Sequence, residues 1–157
     1  MMTINLKSGD KAPEFTSVDQ SGKQIKLSDY KGKKLILYFY PKDNTSGCTA
    51  EACSFRDGYE QLGNLGFDVV GVSPDSEKSH QGFIKKYELP YRLVADTDQG
   101  VANLYGVWAE KKMYGRSYMG IIRTTFIINE KGIITHVISK VNTSDHIKQI
   151  LEIDEKP

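Results

Sequence analysis

The strongest constraint on this chain lies between Lys34 and Cys53, where an apolar run, a proline, a glycine turn and a helix-spaced segment holding both cysteines follow one another. Lys34-Leu35-Ile36-Leu37-Tyr38-Phe39-Tyr40 is continuously apolar and aromatic after its first residue, the pattern of a strand buried on both faces of a sheet. Pro41 ends that strand, because it has no N–H to give to the ladder. Beyond the turn through Gly47, Cys48, Ala52, Phe55, Tyr59 and Leu62 recur at helical spacing, so one stripe faces a core with Cys48 in the first turn. Cys53 sits about 140° around from Cys48, beside Thr49, Arg56 and Glu60 on the polar flank.

A second buried run, Gly66-Phe67-Asp68-Val69-Val70-Gly71-Val72-Ser73, completes a βαβ unit with a parallel strand pair. Pro74-Asp75-Ser76 then ends the strand and caps a helix over about 77–87, with His80, Phe83, Ile84 and Tyr87 on one side. Leu89 to Ala95 reads as a short strand and Gln99 to Tyr105 as a short helix. Residues 106–120, with Trp108, Lys111, Lys112 and three glycines, show no sustained period and read as a long loop. Residues 123–129 and 132–138 flank Asn129-Glu130-Lys131-Gly132 as an antiparallel hairpin. The chain closes with a helix of about three turns that turns Ile147, Ile150 and Leu151 inward.

Upstream, Gly9-Asp10-Lys11-Ala12-Pro13 is loop-like, and residues 15–18 and 24–27 alternate around Asp19-Gln20-Ser21-Gly22, a hairpin signature. The β-α-β-α-β-β-α order predicts an α/β, thioredoxin-like fold: a central mixed sheet with helices on both faces and an N-terminal β-hairpin extension. A length of 157 residues fits a single domain, 1–157.

Charge and cysteine content narrow the function. The 21 basic and 20 acidic residues leave no excess for nucleic acid or an anionic membrane surface, which favours small-molecule or protein partners. No segment reaches the roughly 20 apolar residues of a membrane helix, and the start, Met1 to Lys7, lacks the apolar core of a signal peptide. A cytoplasmic protein is expected. Two cysteines are too few for a secreted disulfide scaffold, and a close pair in a reducing compartment reads as catalytic or metal-binding.

A cysteine in a first helical turn meets unpaired backbone N–H groups and the positive end of the helix dipole, both of which favour the reactive thiolate. Glu51, one turn on, is an anion that opposes this, and an arginine from elsewhere in the fold would offset it. On residue type alone each candidate has a plainer reading. Cys48 fits a small buried hydrophobe, Cys53 an incidental surface thiol, Thr45 a turn or cap residue, and Arg123 a charge at a strand edge. His80 reads as a satisfied histidine at a helix–core boundary, while His136 and His146 read as exposed, and none is given a role. Trp108 and Tyr38 to Tyr40 read as core, with Tyr40 placed to line a pocket beside Pro41. Lys111 and Lys112 read as solvated.

The Pro-x-x-x-Thr-x-x-Cys spacing of Pro41, Thr45 and Cys48 resembles the active-site motif of peroxiredoxins. With Tyr40-Pro41-Lys42-Asp43 before it and Cys53 five residues on, the site is similar to the bacterioferritin comigratory protein or peroxiredoxin Q subfamily, an atypical two-cysteine type. The likeness runs from Gly9-Asp10-Lys11-Ala12-Pro13 through Ser73-Pro74-Asp75 and Tyr105-Gly106-Val107-Trp108 to Arg123-Thr124-Thr125-Phe126. One departure is Ser46, where many relatives carry proline.

The resemblance implies a thiol peroxidase that needs no metal or organic cofactor. Cys48 would be the peroxidatic thiol, Cys53 the resolving one, and Thr45 and Arg123 the groups that orient peroxide and stabilise charge. Tyr40, Pro41 and Gly47 would border the peroxide. The implied partners are hydrogen or organic peroxides and a dithiol reductant, thioredoxin or else glutaredoxin, and the implied state is a monomer or weak homodimer. Two rival classes stay open at this point. A thioredoxin-type dithiol oxidoreductase prefers Cys-x-x-Cys, and a redox-switched sensor or chaperone-like binding protein would use the same thiols without turnover. A zinc module is weaker, since two cysteines and three scattered histidines show no second ligand pair at the usual spacing.

Overall fold

The structure is a computed structural model that describes residues 6–154. Most of the Met1 to Lys7 start lies outside the described residues. No described helix is long and apolar enough to cross a membrane.

The apolar run becomes β3 (Lys34–Phe39), with Leu35 to Phe39 all buried, and the second run becomes β4 (Phe67–Ser73), paired parallel to it. Strand β8 (Thr124–Ile128) lies antiparallel on the other side of β3, followed by β9 (Ile134–Ile138), and β5 (Arg92–Ala95) extends the sheet beyond β4. The five-stranded mixed order is therefore β5-β4-β3-β8-β9 with β3 in the middle. Burial on both faces explains why β3 carries no polar alternation.

The period-two geometry of β3 divides the interior into two cores. Leu35, Leu37 and Phe39 join Phe15, Ile25, Tyr105, Val107 and Phe126 under the N-terminal hairpin, β1 (Thr16–Val18) and β2 (Gln24–Lys26), and the short helix α4 (Gly100–Leu104). Ile36 and Tyr38 join Cys48, Ala52, Phe55, Leu62, Phe83 and Ile150 on the opposite face. That face is covered by α1 (Ser46–Asp57), α2 (Tyr59–Asn64), α3 (Glu77–Tyr87) and α5 (His146–Asp154). Gly71 permits this packing: a Cβ there would stand 2.7 Å from the Leu93 side chain and 2.8 Å from the Tyr38 ring.

Two features differ from the sequence reading. The cysteine helix and the segment after it are two helices, separated at Gly58, where Ile147 of α5 packs against the space a Cβ would need. Leu62 still reaches the same core. Residues 106–120 form no loop but a second hairpin, β6 (Trp108–Met113) with β7 (Arg116–Ile121), closed by Tyr114 at φ 53° and Gly115 at φ 77°. Positive φ at both central residues is the type I′ turn that matches strand twist.

Candidate active site

The β3–α1 connection builds the site. Thr45 is the N-cap residue of α1, in extended backbone, and its side chain does not cap the helix. Its hydroxyl instead donates to the Lys42 carbonyl at 2.9 Å, which leaves the oxygen lone pairs free to accept. The N–H groups of Ser46, Gly47 and Cys48 thus take no partner from the cap side chain, and they concentrate positive potential at the helix start.

Cys48, third residue of α1, is 1% exposed. Arg123, in the short link between β7 and β8, approaches it from the neighbouring strand, whose Thr124 pairs with Phe39 at the end of β3, with Nη2 3.2 Å from Sγ. Nη1 of the same guanidinium lies 2.6 Å from Oε1 of Glu51. Gly47 lies against the same guanidinium: a Cβ there would sit 3.4 Å from Arg123 Nη2 and 3.9 Å from Thr143, within ordinary contact distance. The arginine wanted to offset Glu51 is therefore Arg123.

Glu51 is fully buried, and among the described residues its Oε2 is the one buried side-chain oxygen or nitrogen without a hydrogen bond. Burial pushes its carboxyl up to about 7 against the opposing charge of Arg123. Oε2 lies 3.7 Å from Nε2 of His146. His146 is buried, not exposed, held through Thr125 Oγ1 at 2.8 Å and Gln149 Oε1 at 2.7 Å. Burial takes its imidazole down to about 4, with the Gln149 bond opposing and the Arg123 charge assisting. The spacing of His146 four residues before Ile150, on the inward stripe of α5, was the available signal.

Pro41 is half-buried, whereas the Tyr40 ring is wholly buried and stacked on Tyr38 at 5.4 Å. Its hydroxyl donates to Asp43 Oδ1 at 2.6 Å, so it supports the active-site loop from within instead of facing an open pocket. Asp43 also accepts from Ser79 at 2.8 Å and meets His80 Nδ1 at 2.7 Å, while its N–H donates to Asp75 at 2.8 Å. His80 is satisfied as expected, its Nε2 on the Val94 carbonyl at 2.9 Å. Asp43, Asp75 and His80 have metal-ligand chemistry, and both Asp43 oxygens, Asp75 Oδ2 and both His80 ring nitrogens are hydrogen-bonded within the protein.

Lys111 departs from its solvated reading. It is half-buried and donates through Nζ to the Ile121 carbonyl at 2.8 Å, and burial, followed by the Arg123 charge, lowers its ionisation below the usual lysine range. Lys112 and His136 are exposed. Cys53 is half-buried on the α1 flank, and both cysteines are free thiols.

An apolar-floored strand, a Pro-x-x-x-Thr-x-x-Cys turn and an arginine on the sulfur form the arrangement, and the sequence profile of the AhpC/TSA family matches residues 8–137. The chain belongs to the AhpC/TSA family. This family member is 48% identical over 148 residues to the putative peroxiredoxin Bcp of Coxiella burnetii, covering 94% of this chain and 98% of that one. It is 45% identical to the peroxiredoxin Bcp of Bacillus subtilis, covering 96% and 95%. A solved structure of Xylella fastidiosa PrxQ superposes with a TM-score of 0.87 at 33% identity, covering 99% and 96%. The AhpC/TSA protein is accordingly a peroxiredoxin with the expected thioredoxin-like fold, a thiol peroxidase acting on peroxide with a thiol reductant.

Proposed function

We propose that Cys48 is the peroxidatic thiol of this enzyme, that Cys53 resolves it, and that a thioredoxin-type dithiol recycles the resulting disulfide, with glutaredoxin as the second reductant to try. The observation that carries this reading is the single guanidinium of Arg123, 3.2 Å from Cys48 Sγ and fixed by Glu51 at 2.6 Å. A cation held there supports an anionic sulfur and then the negative charge on the departing oxygen.

The first step forms an S–O bond between the Cys48 thiolate and the terminal peroxide oxygen as the O–O bond breaks. The leaving alkoxide or hydroxide takes up a proton and departs as alcohol or water, and Cys48 becomes a sulfenic acid. Thr45 accepts from the peroxide O–H through its free lone pairs, and the N–H groups of the first α1 turn donate to the peroxide oxygens. Gly47 and Pro41 border the peroxide, with Tyr40 acting through the loop. Cys53 then attacks the sulfenic sulfur, the S–O bond breaks, and water leaves. Exchange with an external dithiol restores both thiols.

We further read residues 1–157 as one domain working in the cytoplasm as a monomer or weak homodimer. Steady-state turnover tests the cycle: with thioredoxin and its reductase, Cys48→Ser should consume no peroxide, and Cys53→Ser should lose thioredoxin-dependent turnover while still reacting once. Wild-type turnover in either variant would overturn the assignment.

A further inference from the structure

Ala52 lies on the buried stripe of α1, and its carbonyl belongs to the peptide unit that joins it to Cys53. In a regular helix that oxygen takes the N–H of residue 56. Here it also accepts the Tyr91 hydroxyl at 3.0 Å. Tyr91 precedes β5, is 4% exposed, and places its oxygen 2.8 Å from the Tyr38 hydroxyl on β3.

A phenol has one proton to give. A carbonyl can only accept, so the Tyr91 proton points at Ala52 and the Tyr38 proton points at Tyr91. Burial pushes the ionisation of both phenols well above the ordinary tyrosine range, which keeps each of them a donor. Phe55 packs at 4.7 Å from the Tyr38 ring and 6.4 Å from the Tyr91 ring, so neither can swing away. A two-hydroxyl chain therefore runs from the central strand into the cysteine helix.

The position of that grip matters because a peptide unit is planar and rigid. When Cys53 closes the roughly 140° that separates it from Cys48, the 52–53 peptide swings with it, and so does the oxygen that Tyr91 holds. We propose that Tyr91 is a positioning residue that restrains the Ala52–Cys53 peptide and so sets how fast Cys53 reaches the Cys48 sulfenic acid. The proposal rests on Cys53 being the resolving thiol.

Resolution competes with a second oxidation. Disulfide formation releases water and is independent of peroxide, whereas a second peroxide adds an oxygen to the sulfur, releases alcohol or water, and gives the sulfinic acid. The Tyr91 restraint thereby also sets the peroxide concentration at which the enzyme is inactivated.

The test compares wild type, Tyr91→Phe and Tyr38→Phe after one equivalent of hydrogen peroxide, with acid quench and mass spectrometry of the Cys48 and Cys53 peptides. Tyr91→Phe keeps the ring and removes the bond, so disulfide should form about fivefold faster, the factor for one ordinary hydrogen bond. The peroxide concentration giving half sulfinic acid should rise by the same factor, with the first oxidation step unchanged. Tyr38→Phe keeps the Tyr91–Ala52 bond and should resolve within about twofold of wild type. Unaltered resolution in Tyr91→Phe, or equal acceleration in Tyr38→Phe, would overturn the restraint and leave a generally loosened core as the explanation. A wild type that forms no Cys48–Cys53 disulfide would overturn the resolving role of Cys53 and the restraint together, so the two failures are told apart.

Discussion

Arg123 Nη2 stands 3.2 Å from Cys48 Sγ. A residue far along the chain, just before β8, thus supplies the counter-charge for the sulfur that α1 buries at its first turn. The same guanidinium is braced by Glu51, so its position does not depend on the sulfur alone.

Arg123→Met should therefore slow the first oxidation of Cys48 by about 100-fold, the usual loss when one aimed charge-stabilising donor is removed. The circular dichroism of the variant should match wild type, because Arg123 is partly exposed and outside both cores. Stopped-flow oxidation measures the rate, and equality with wild type would reduce Arg123 to a strand-edge charge.

Glu51 and His146 give the protein two opposed pH dependences. The Glu51 carboxyl is raised from 4.5 to about 7, so the folded state holds its proton more tightly than the unfolded chain does. Its contribution is present below pH 4.5 and lost as pH rises through about 7. The His146 imidazole is lowered from 6.5 to about 4, so its contribution is present above pH 6.5 and lost as pH falls through about 4. The two slopes offset each other across most of that interval. Glu51→Gln should remove the Glu51 slope and leave that of His146 unopposed by it, and the stability of this variant relative to wild type should climb between about pH 5 and 7. Urea unfolding at a series of pH values checks this, and a constant difference would contradict it.

Much of this was legible beforehand for a local reason. The β3 run, the Pro41 stop and the helical stripe of Cys48, Ala52 and Phe55 are decided by neighbours in sequence, and the structure builds them where they were expected. The Arg123–Glu51 pair was legible only as a need, since the sequence placed an anion beside Cys48 that an arginine would offset but did not say which arginine, nor that Glu51 is buried. Residues 106–120 escaped because Glu110, Lys112, Ser117 and Tyr118 are exposed on a two-stranded ribbon, which blurs the period-two signal. Tyr114 at positive φ hid the turn as well, since Asn or Asp is the usual partner for Gly115. His146 and Lys111 were misplaced because polar type was taken as exposure: His146 bonds Thr125 on β8, and Lys111 bonds the Ile121 carbonyl on the partner strand of its own hairpin.

Forming the disulfide requires α1 to open. Regular helix places residues five apart at roughly 8–9 Å between Cα atoms, whereas a disulfide needs about 4.4–6.8 Å with converging Cβ atoms. Both cysteines lie within α1, so the oxidised protein should lose amide protection between about Thr45 and Arg56 and regain it on reduction. Hydrogen exchange on matched reduced and disulfide forms reads this directly, and unchanged protection with the bond confirmed by mass would sink it.

Oxygen from peroxide should land first on Cys48, with Cys53 following. Single-turnover oxidation of wild type, Cys48→Ser and Cys53→Ser, quenched with a dimedone-type trap and mapped by mass spectrometry, measures it most directly. A Cys48 adduct should form at full rate in Cys53→Ser, a Cys48–Cys53 disulfide in wild type, and Cys48→Ser should show no rapid reaction. An adduct on Cys53 forming in Cys48→Ser at the wild-type rate would contradict it.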